Sequence, residues 1–421
     1  MPEAMTLFLI LRSNVLNIRV LSARRWLLSA SAILVLLVVA ACGPAPLGTG
    51  WPSVSLIKSV CGDTSSLNVM ISYMDRIVQV NPADGKSSPL LNSDCEPRPP
   101  ESDGRPRVWD FRPNGGKQFY TTPLLLQDNT LLVIANDQHI FRIDATTARA
   151  EDADGTAIDG RTGHAVTDLV VSDDLIYAGL SAKDLVALER DTLDVRWTVE
   201  TEHGVWGKPL LQDGVLYFSS LDHYLYAVDA ETGELKWKLD LEGAITGMPL
   251  YANDRLYIGS FARKLFEISL DGEIINQYST VDWVWGTPTI QDDILYFADL
   301  GGYVYALDTA ANLSEVWKQQ VATRAIRPSP LVTGDTLIVV SRDHKIYWRN
   351  RADGSPILDA EGNPLVRELQ GEILSDILLV QPEDGVNITK PYIIVSTTSP
   401  GQLLAAYTLD NGESKWSYSY Q

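Results

Sequence analysis

The sequence predicts an all-β protein, an eight-bladed β-propeller of four-stranded antiparallel blades. Two observations carry this: short runs alternating at period two, and a four-run unit that recurs about every 40 residues. The clearest copy runs from Gly207 to Trp237. It holds alternating runs from Pro209 to Gln212, Val215 to Ser219 and Tyr224 to Asp229, and a fourth opening at Trp237. Leu, Val, Tyr and Phe on one face mark strands. Asp213-Gly214 separates the first two, Leu221 to His223 makes a hairpin, and Glu231 to Gly233 turns the chain into the last.

The residues standing where Pro209 stands are Pro123, Asp168, Pro209, Pro249, Pro288, Pro330 and Asp376, at spacings of 45, 41, 40, 39, 42 and 46. The matching hairpins include LLVIANDQHIFRID from Leu131, LIYAGLSAKDLVALE from Leu175 and ILYFADLGGYVYALD from Ile294. An earlier hairpin, LNVMISYMDRIVQVN from Leu67, brings the number of repeats to eight. A period of about 40 residues built from four strands is that of a propeller blade.

The fourth strand is the most specific part. AVDAETGELKW from Ala227, ALERDTLDVRW from Ala187 and AYTLDNGESKW from Ala406 share an alanine followed ten residues later by tryptophan. This resembles the tryptophan-docking repeat of quinoprotein-like (PQQ-repeat) propellers, A-x-D-x-x-T-G-K-x-x-W. Ala227, Asp229, Thr232, Gly233 and Trp237 match it, and Glu234 replaces the lysine. The resemblance covers about the last 365 residues and is weak in the first, fifth and seventh repeats, which lack the tryptophan. It favours this class over WD repeats, whose Gly-His and Trp-Asp marks do not recur with the period: each dipeptide occurs once, at Gly163-His164 and at Trp109-Asp110. Trp197, Trp237, Trp317 and Trp416 are expected to dock one blade on the next, and Gly233 and Gly412 to take positive φ at the turn.

Residues 1–41 stand apart. Arg24 and Arg25 precede an apolar run from Trp26 to Ala41, the layout of an export signal. The run ends Val39-Ala40-Ala41-Cys42, which resembles a bacterial lipobox and implies a lipidated Cys42 as the mature N-terminus. The alternative is an uncleaved anchor, aided by the apolar stretch from Leu7 to Leu11, and Met5 is a second candidate start. Residues 42–53 then read as a tether and 54–421 as the propeller. Either way the propeller is expected outside the cytoplasm, in the cell envelope. Under the lipobox reading it is lipid-anchored on the outer side of the cytoplasmic membrane or at an outer membrane.

With Cys42 lipidated, Cys61 and Cys95 remain, and an exported compartment lets them pair. That bridge closes a loop of 35 residues and pins the Pro-rich insertion between Gly85 and Trp109. The net charge is −20. The leader contributes four arginines against Glu3, or +3, so its removal leaves −23. Such a surface excludes nucleic acid as a partner and repels anionic lipid.

Catalytic patterns are scarce. The chain has no phosphate-cradling glycine loop, no zinc-type Cys or His spacing and no G-x-S-x-G elbow. His139, His223 and His344 fall in equivalent hairpin turns of separated repeats and read as turn residues, with no metal expected. The better candidate lies three residues before each Pro209 equivalent: Tyr120, Ala165, Trp206, Thr246, Trp285, Arg327 and Ile373. The innermost strands of a propeller line its axis, so these seven are expected to ring one mouth of the channel. Trp206 and Trp285 share the context Val-Trp-Gly, with His203 and Asp282 in equivalent places. Such a mouth suits a partner side chain or a flat ligand. The competing reading makes both tryptophans wedges between blades.

Within the resembled class two functions compete. The quinoprotein dehydrogenases imply pyrroloquinoline quinone, calcium, an aspartate base and a vicinal disulfide, and no adjacent cysteines occur here. The BamB-type lipoproteins resemble the chain in signal, length and repeat. They imply a non-enzymatic monomeric propeller that binds protein partners in a barrel-assembly complex and needs no cofactor. Gly43 after Cys42 is compatible with sorting to an outer membrane. A third reading is an extracellular module binding a small molecule or glycan at Trp206, Trp285 and Tyr120.

Overall fold

The computed structural model describes residues 52–58, 61, 67–158, 163–382 and 388–420. The leader, Cys42 and the tether up to Trp51 lie outside the described residues. The described strands form eight four-stranded antiparallel sheets arranged as the blades of a propeller. Blades 1 to 8 span residues 53–111, 124–157, 170–200, 210–240, 250–279, 289–320, 331–368 and 378–418. Every blade is a meander of consecutive strands. In blade 4 the register pairs Leu210 with Tyr217, Val215 with Asp229, and Ala227 with Trp237.

Strands two and three of each blade are buried on both faces, which is why they read as nearly continuous apolar runs such as LYF and YLYAV. Outer strands such as Leu235–Asp240 bury alternate residues only. The hydrophobic clusters lie between neighbouring blades. One joins Val69, Ile71 and Val80 of blade 1 to Tyr392, Ile394 and Trp416 of blade 8.

The third and fourth strands share a bulge. The register shifts after Ala187, Ala227, Glu267, Ala306 and Ala406. A bulge re-aims the side chain beside it, and in four of these blades that side chain is the docking tryptophan. Trp197, Trp237, Trp317 and Trp416 each donate their indole N–H to a carbonyl of the following blade: Ala230, Leu270, Arg351 and Pro82, at 3.2, 2.8, 3.0 and 2.8 Å. Each ring also covers a turn glycine of that blade, namely Gly233, Gly272, Gly354 and Gly85, all with positive φ. Gly412 has positive φ as well.

Two repeats that lack the tryptophan in the expected place have one elsewhere. In blade 1, Trp109 donates to the Ala145 carbonyl at 2.7 Å. In blade 7, Trp348 on the third strand Lys345–Asn350 donates to the Leu409 carbonyl at 3.0 Å and covers Gly412. Blades 2 and 5 have no such tryptophan, and there the next blade changes instead. Its turn carries a buried leucine at positive φ, Leu193 in blade 3 and Leu313 in blade 6, filling the space an indole takes elsewhere. Blade 5 pairs Glu267 with Asn276 where blades 3, 4, 6 and 8 pair alanine with tryptophan, and the Asn276 amide donates to the buried Glu267 carboxylate at 2.6 Å.

Of the two routes to ring closure, an N-terminal segment completing the last blade or side-chain packing alone, the structure takes the second. The first strand, Ser53–Lys58, pairs within blade 1, and the last, Ser414–Tyr418, within blade 8. Across the seam Tyr392 donates to the Pro82 carbonyl at 2.5 Å, Tyr420 to Asp75 at 2.9 Å, and Tyr73 meets the Tyr420 ring edge-on.

Cys61 and Cys95 are disulfide-bonded, with Cα atoms 5.3 Å apart. The insertion they hold is an ordered excursion in which Pro89 bridges to Val108 and Leu91 to Pro97.

Candidate functional site

A cavity of about 360 Å³ on the propeller axis is lined by residues of all eight blades. The connection that enters each inner strand supplies its wall. Proline at 123, 209, 249, 288 and 330 holds the preceding residue extended, so alternate residues of the connection face the axis. The residue three before each proline forms the mouth: Tyr120, Trp206, Thr246, Trp285 and Arg327 line the cavity.

In blades 3 and 8 the expected mouth residues Ala165 and Ile373 do not. Both are buried between blades. The inner strands there begin at Val170 and Leu378, so Leu169 and Ile377 occupy the proline place. A shift of one residue exchanges the faces, and Val166 and Leu374 line the cavity instead.

One layer deeper stand Thr122, Asp168, Lys208, Met248, Thr287, Ser329 and Asp376. Several of them tie neighbouring blades together. The Thr122 N–H donates to Asp168 Oδ1 at 2.7 Å, Met248 N–H to Thr287 Oγ1 at 3.1 Å, and Ser329 N–H to Asp376 Oδ1 at 2.7 Å. Asp376 opens onto the channel but lies deep in the protein. This burial raises its carboxyl pKa, the Ser329 hydrogen bonds oppose the rise, and the Asp168 charge adds to it.

The mouth is aromatic on one side. Trp206 meets Trp285 at 6.4 Å between ring centroids. Phe261 lies 5.7 Å from Trp285 and stacks on Trp283 at 4.8 Å. The Arg327 guanidinium sits 4.2 Å over the Trp285 ring, while its buried Nε has no hydrogen-bond partner. Burial pushes the Arg327 pKa down, as does the nearby Arg342 charge. Trp206 and Trp283 are each 38% exposed and Trp285 is half-buried, so these rings form a shelf at the rim.

His203 and Asp282 lie outside the cavity lining. Their carbonyls accept the Thr201 and Thr280 hydroxyls at 2.5 and 2.6 Å, which makes them formers of equivalent rim turns. His223 and His344 occupy hairpin turns at positive φ, as expected, but in blade 2 that place belongs to Gln138 and His139 opens the strand. Phe261, Trp283, Lys208, Asp168 and Asp376 were not anticipated as site residues. The signal for Trp283 was its spacing two residues from Trp285 in an extended connection.

Among the described residues no group of three His, Cys, Asp or Glu is placed to hold a metal ion. The channel carboxylates Asp168 and Asp376 are engaged by main-chain N–H groups, and the bonded cysteines stand 34 residues apart rather than adjacent. This donor set does not fit calcium and pyrroloquinoline quinone, and no step is derived through them.

Eight docked four-stranded blades around an axial channel define a PQQ-repeat β-propeller. The family described as outer membrane protein assembly factor BamB matches residues 151–278 and 222–418, and the chain belongs to that family. No curated protein matches the chain in sequence. Among solved structures it is similar to BamB from Moraxella catarrhalis, at TM-score 0.57 and 13% identity over 82% of this chain and 96% of that one. It is also similar to the computationally designed Ika8 protein, at TM-score 0.56 and 11% identity over 72% and 88%. At these identities the two structures speak to the fold.

Proposed function

We propose that this propeller is a non-enzymatic, envelope-located scaffold of the BamB type, lipid-anchored through Cys42, that docks a protein partner on the channel-mouth rim. The observation that carries this reading is the aromatic shelf of Trp206, Trp285, Phe261 and Trp283 on one rim. Large, rigid and partly exposed rings are the side chains that carry interface energy. The opposite rim contrasts with it. Its turns carry exposed Asp173, Asp174, Asp213, Asp254, Asp292 and Asp293, a solvated face that repels acidic partners and anionic lipid. Membership of the assembly-factor family makes a barrel-assembly component the partner of choice.

The test is photo-crosslinking in cells from a probe at position 283 and, as control, at position 213 on the acidic rim. Recovery of a barrel-assembly component from 283 alone supports the reading. Recovery from 213 alone, or of no specific protein from either, overturns it.

A further inference from the structure

The four charged groups of the channel are sorted around its axis. Lys208 of blade 4 and Arg327 of blade 7 flank the arc that carries Trp206 and Trp285, while Asp168 of blade 3 and Asp376 of blade 8 flank the opposite arc. Among the described residues neither Lys208 nor Arg327 has a carboxylate oxygen within ion-pair distance. Arg327 stacks on Trp285 and leaves its buried Nε without a partner. Asp168 spends one oxygen on the Thr122 N–H, and Asp376 accepts the main-chain N–H and hydroxyl of Ser329. Groups of both signs thus face one axial space without being paired to each other.

Arg327 is partly buried, which pushes its pKa down, and a buried charge without a partner is costly. A simple anion would answer Lys208 and Arg327 but meet repulsion from the two aspartates. A simple cation would do the reverse, and among the described residues no group of three His, Cys, Asp or Glu is placed to hold a metal ion. A ligand bearing both signs answers all four groups at once, and the tryptophan faces supply an apolar wall for its body. The cavity of about 360 Å³ is of the size that ligand pockets have.

We propose that the axial channel is a binding site for a small zwitterion with an apolar or aromatic body, of the class of free α-amino acids and dipeptides. Its carboxylate pairs with Lys208 and Arg327, its ammonium with Asp168 and Asp376, and its side chain lies against Trp206 and Trp285. This site shares Trp206 and Trp285 with the aromatic shelf but takes its charge pairing from the layer beneath, and it does not depend on the scaffold reading. The Asp168 charge adds to the rise in the Asp376 pKa, and an ammonium group placed between the two carboxylates relieves that repulsion.

The test uses the purified protein and two readouts, tryptophan fluorescence and titration calorimetry. The probes are phenylalanine, leucine and phenylalanyl-leucine, compared with phenylalaninamide, which lacks the carboxylate, and N-acetylphenylalanine, which lacks the ammonium. Saturable binding of at least one zwitterion is expected, with each blocked analogue weaker by about 10-fold, or about 1.4 kcal/mol. Lys208→Met should weaken phenylalanine without further weakening the amide, and Asp376→Asn should weaken phenylalanine without further weakening the N-acetyl compound. Equal binding of the zwitterion and both blocked analogues overturns the charge pairing. Absence of binding by all three zwitterions up to about 10 mM overturns the site. Neither result bears on crosslinking from the rim, and the analogue comparison stands even where a variant fails to fold.

Discussion

Gly85 and Trp416 close the ring. A Cβ placed on Gly85, whose φ is +70°, would lie 2.5 Å from Cε3 of the Trp416 indole, and that indole donates to the Pro82 carbonyl at 2.8 Å. The two residues come from opposite ends of the described chain, yet their contact repeats what Trp197 makes with Gly233 and Trp237 with Gly272. The seam between blades 8 and 1 is therefore an ordinary blade junction, made without a shared strand.

Gly85→Ala is expected to destabilise the protein by about 2–4 kcal/mol, from a methyl forced into the indole and from an L-residue held at positive φ. Trp416→Ala should cost about 3–5 kcal/mol. The two changes are coupled. With the indole gone, the alanine at 85 bears only its backbone strain, about 1 kcal/mol. Denaturant unfolding of the four proteins of this cycle measures the coupling, and strictly additive costs would show that the seam is not held by this contact.

How far the fold was legible follows from the same contact. Where turn and outer strand are contiguous, alanine, glycine and tryptophan fall at fixed spacing, and Ala227, Gly233 and Trp237 could be read directly. In blade 1 the insertion 86–108 separates the turn at Gly85 from Trp109, so the spacing is lost while the packing survives. In blade 7 the indole comes from Trp348 on the third strand, where no outer-strand pattern points to it. Leu193 and Leu313 compensate across a junction, and no single repeat records a relation between two repeats. The mouth was legible wherever proline marks the inner strand. Without it, at Asp168 and Asp376, the alignment slipped by one residue and exchanged wall for core. The charged layer beneath depends on that register and stayed hidden with it.

Replacing Cys61 and Cys95 by serine should lower stability by about 3–4 kcal/mol on the loop-entropy account, with the bridge spanning 34 positions of sequence. Thiol titration of the unfolded, unreduced protein should detect neither cysteine. Two reactive thiols from this pair would contradict the bond.

Asp299 organises the rim turn beneath Trp283. Wholly buried, its carboxylate accepts the Tyr305 hydroxyl at 2.6 Å and the N–H groups of Gly301, Tyr303 and Asp282 at 2.9, 3.0 and 2.9 Å. Asp222 with Tyr226 and Asp343 with Tyr347 repeat the carboxylate–hydroxyl pair at 2.8 and 2.7 Å. Asp299→Ala orphans several donors at once and should cost about 3 kcal/mol or more, against about 1–2 kcal/mol for Tyr305→Phe. Thermal unfolding of the two variants tests the order; a larger loss from Tyr305→Phe would mean that the hydroxyl, and not the carboxylate, is the centre of the turn.

Asp376 gives the last prediction its sign. Burial chiefly, and the Asp168 charge secondarily, raise its pKa above the ordinary carboxyl value, while Ser329 hydrogen bonds pull the other way. A carboxyl whose folded pKa is raised binds its proton more tightly in the folded state. Between the unfolded and folded values the folded protein therefore carries more protons than the unfolded chain, and stability falls as pH rises through that window. Above it the cost of holding Asp376 charged in the channel is present; below about pH 4, the unfolded carboxyl value, it is absent. Asp376→Asn keeps an oxygen to accept the Ser329 N–H and carries no charge at any pH. The variant should be the more stable protein at neutral pH, and its advantage should close as the pH is lowered through the window. Denaturation midpoints of both proteins across the acid range measure this. A variant less stable than the parent at neutral pH would mean that the Ser329 hydrogen bonds, rather than burial, govern the carboxylate, and the channel would then hold Asp376 charged without help from a ligand.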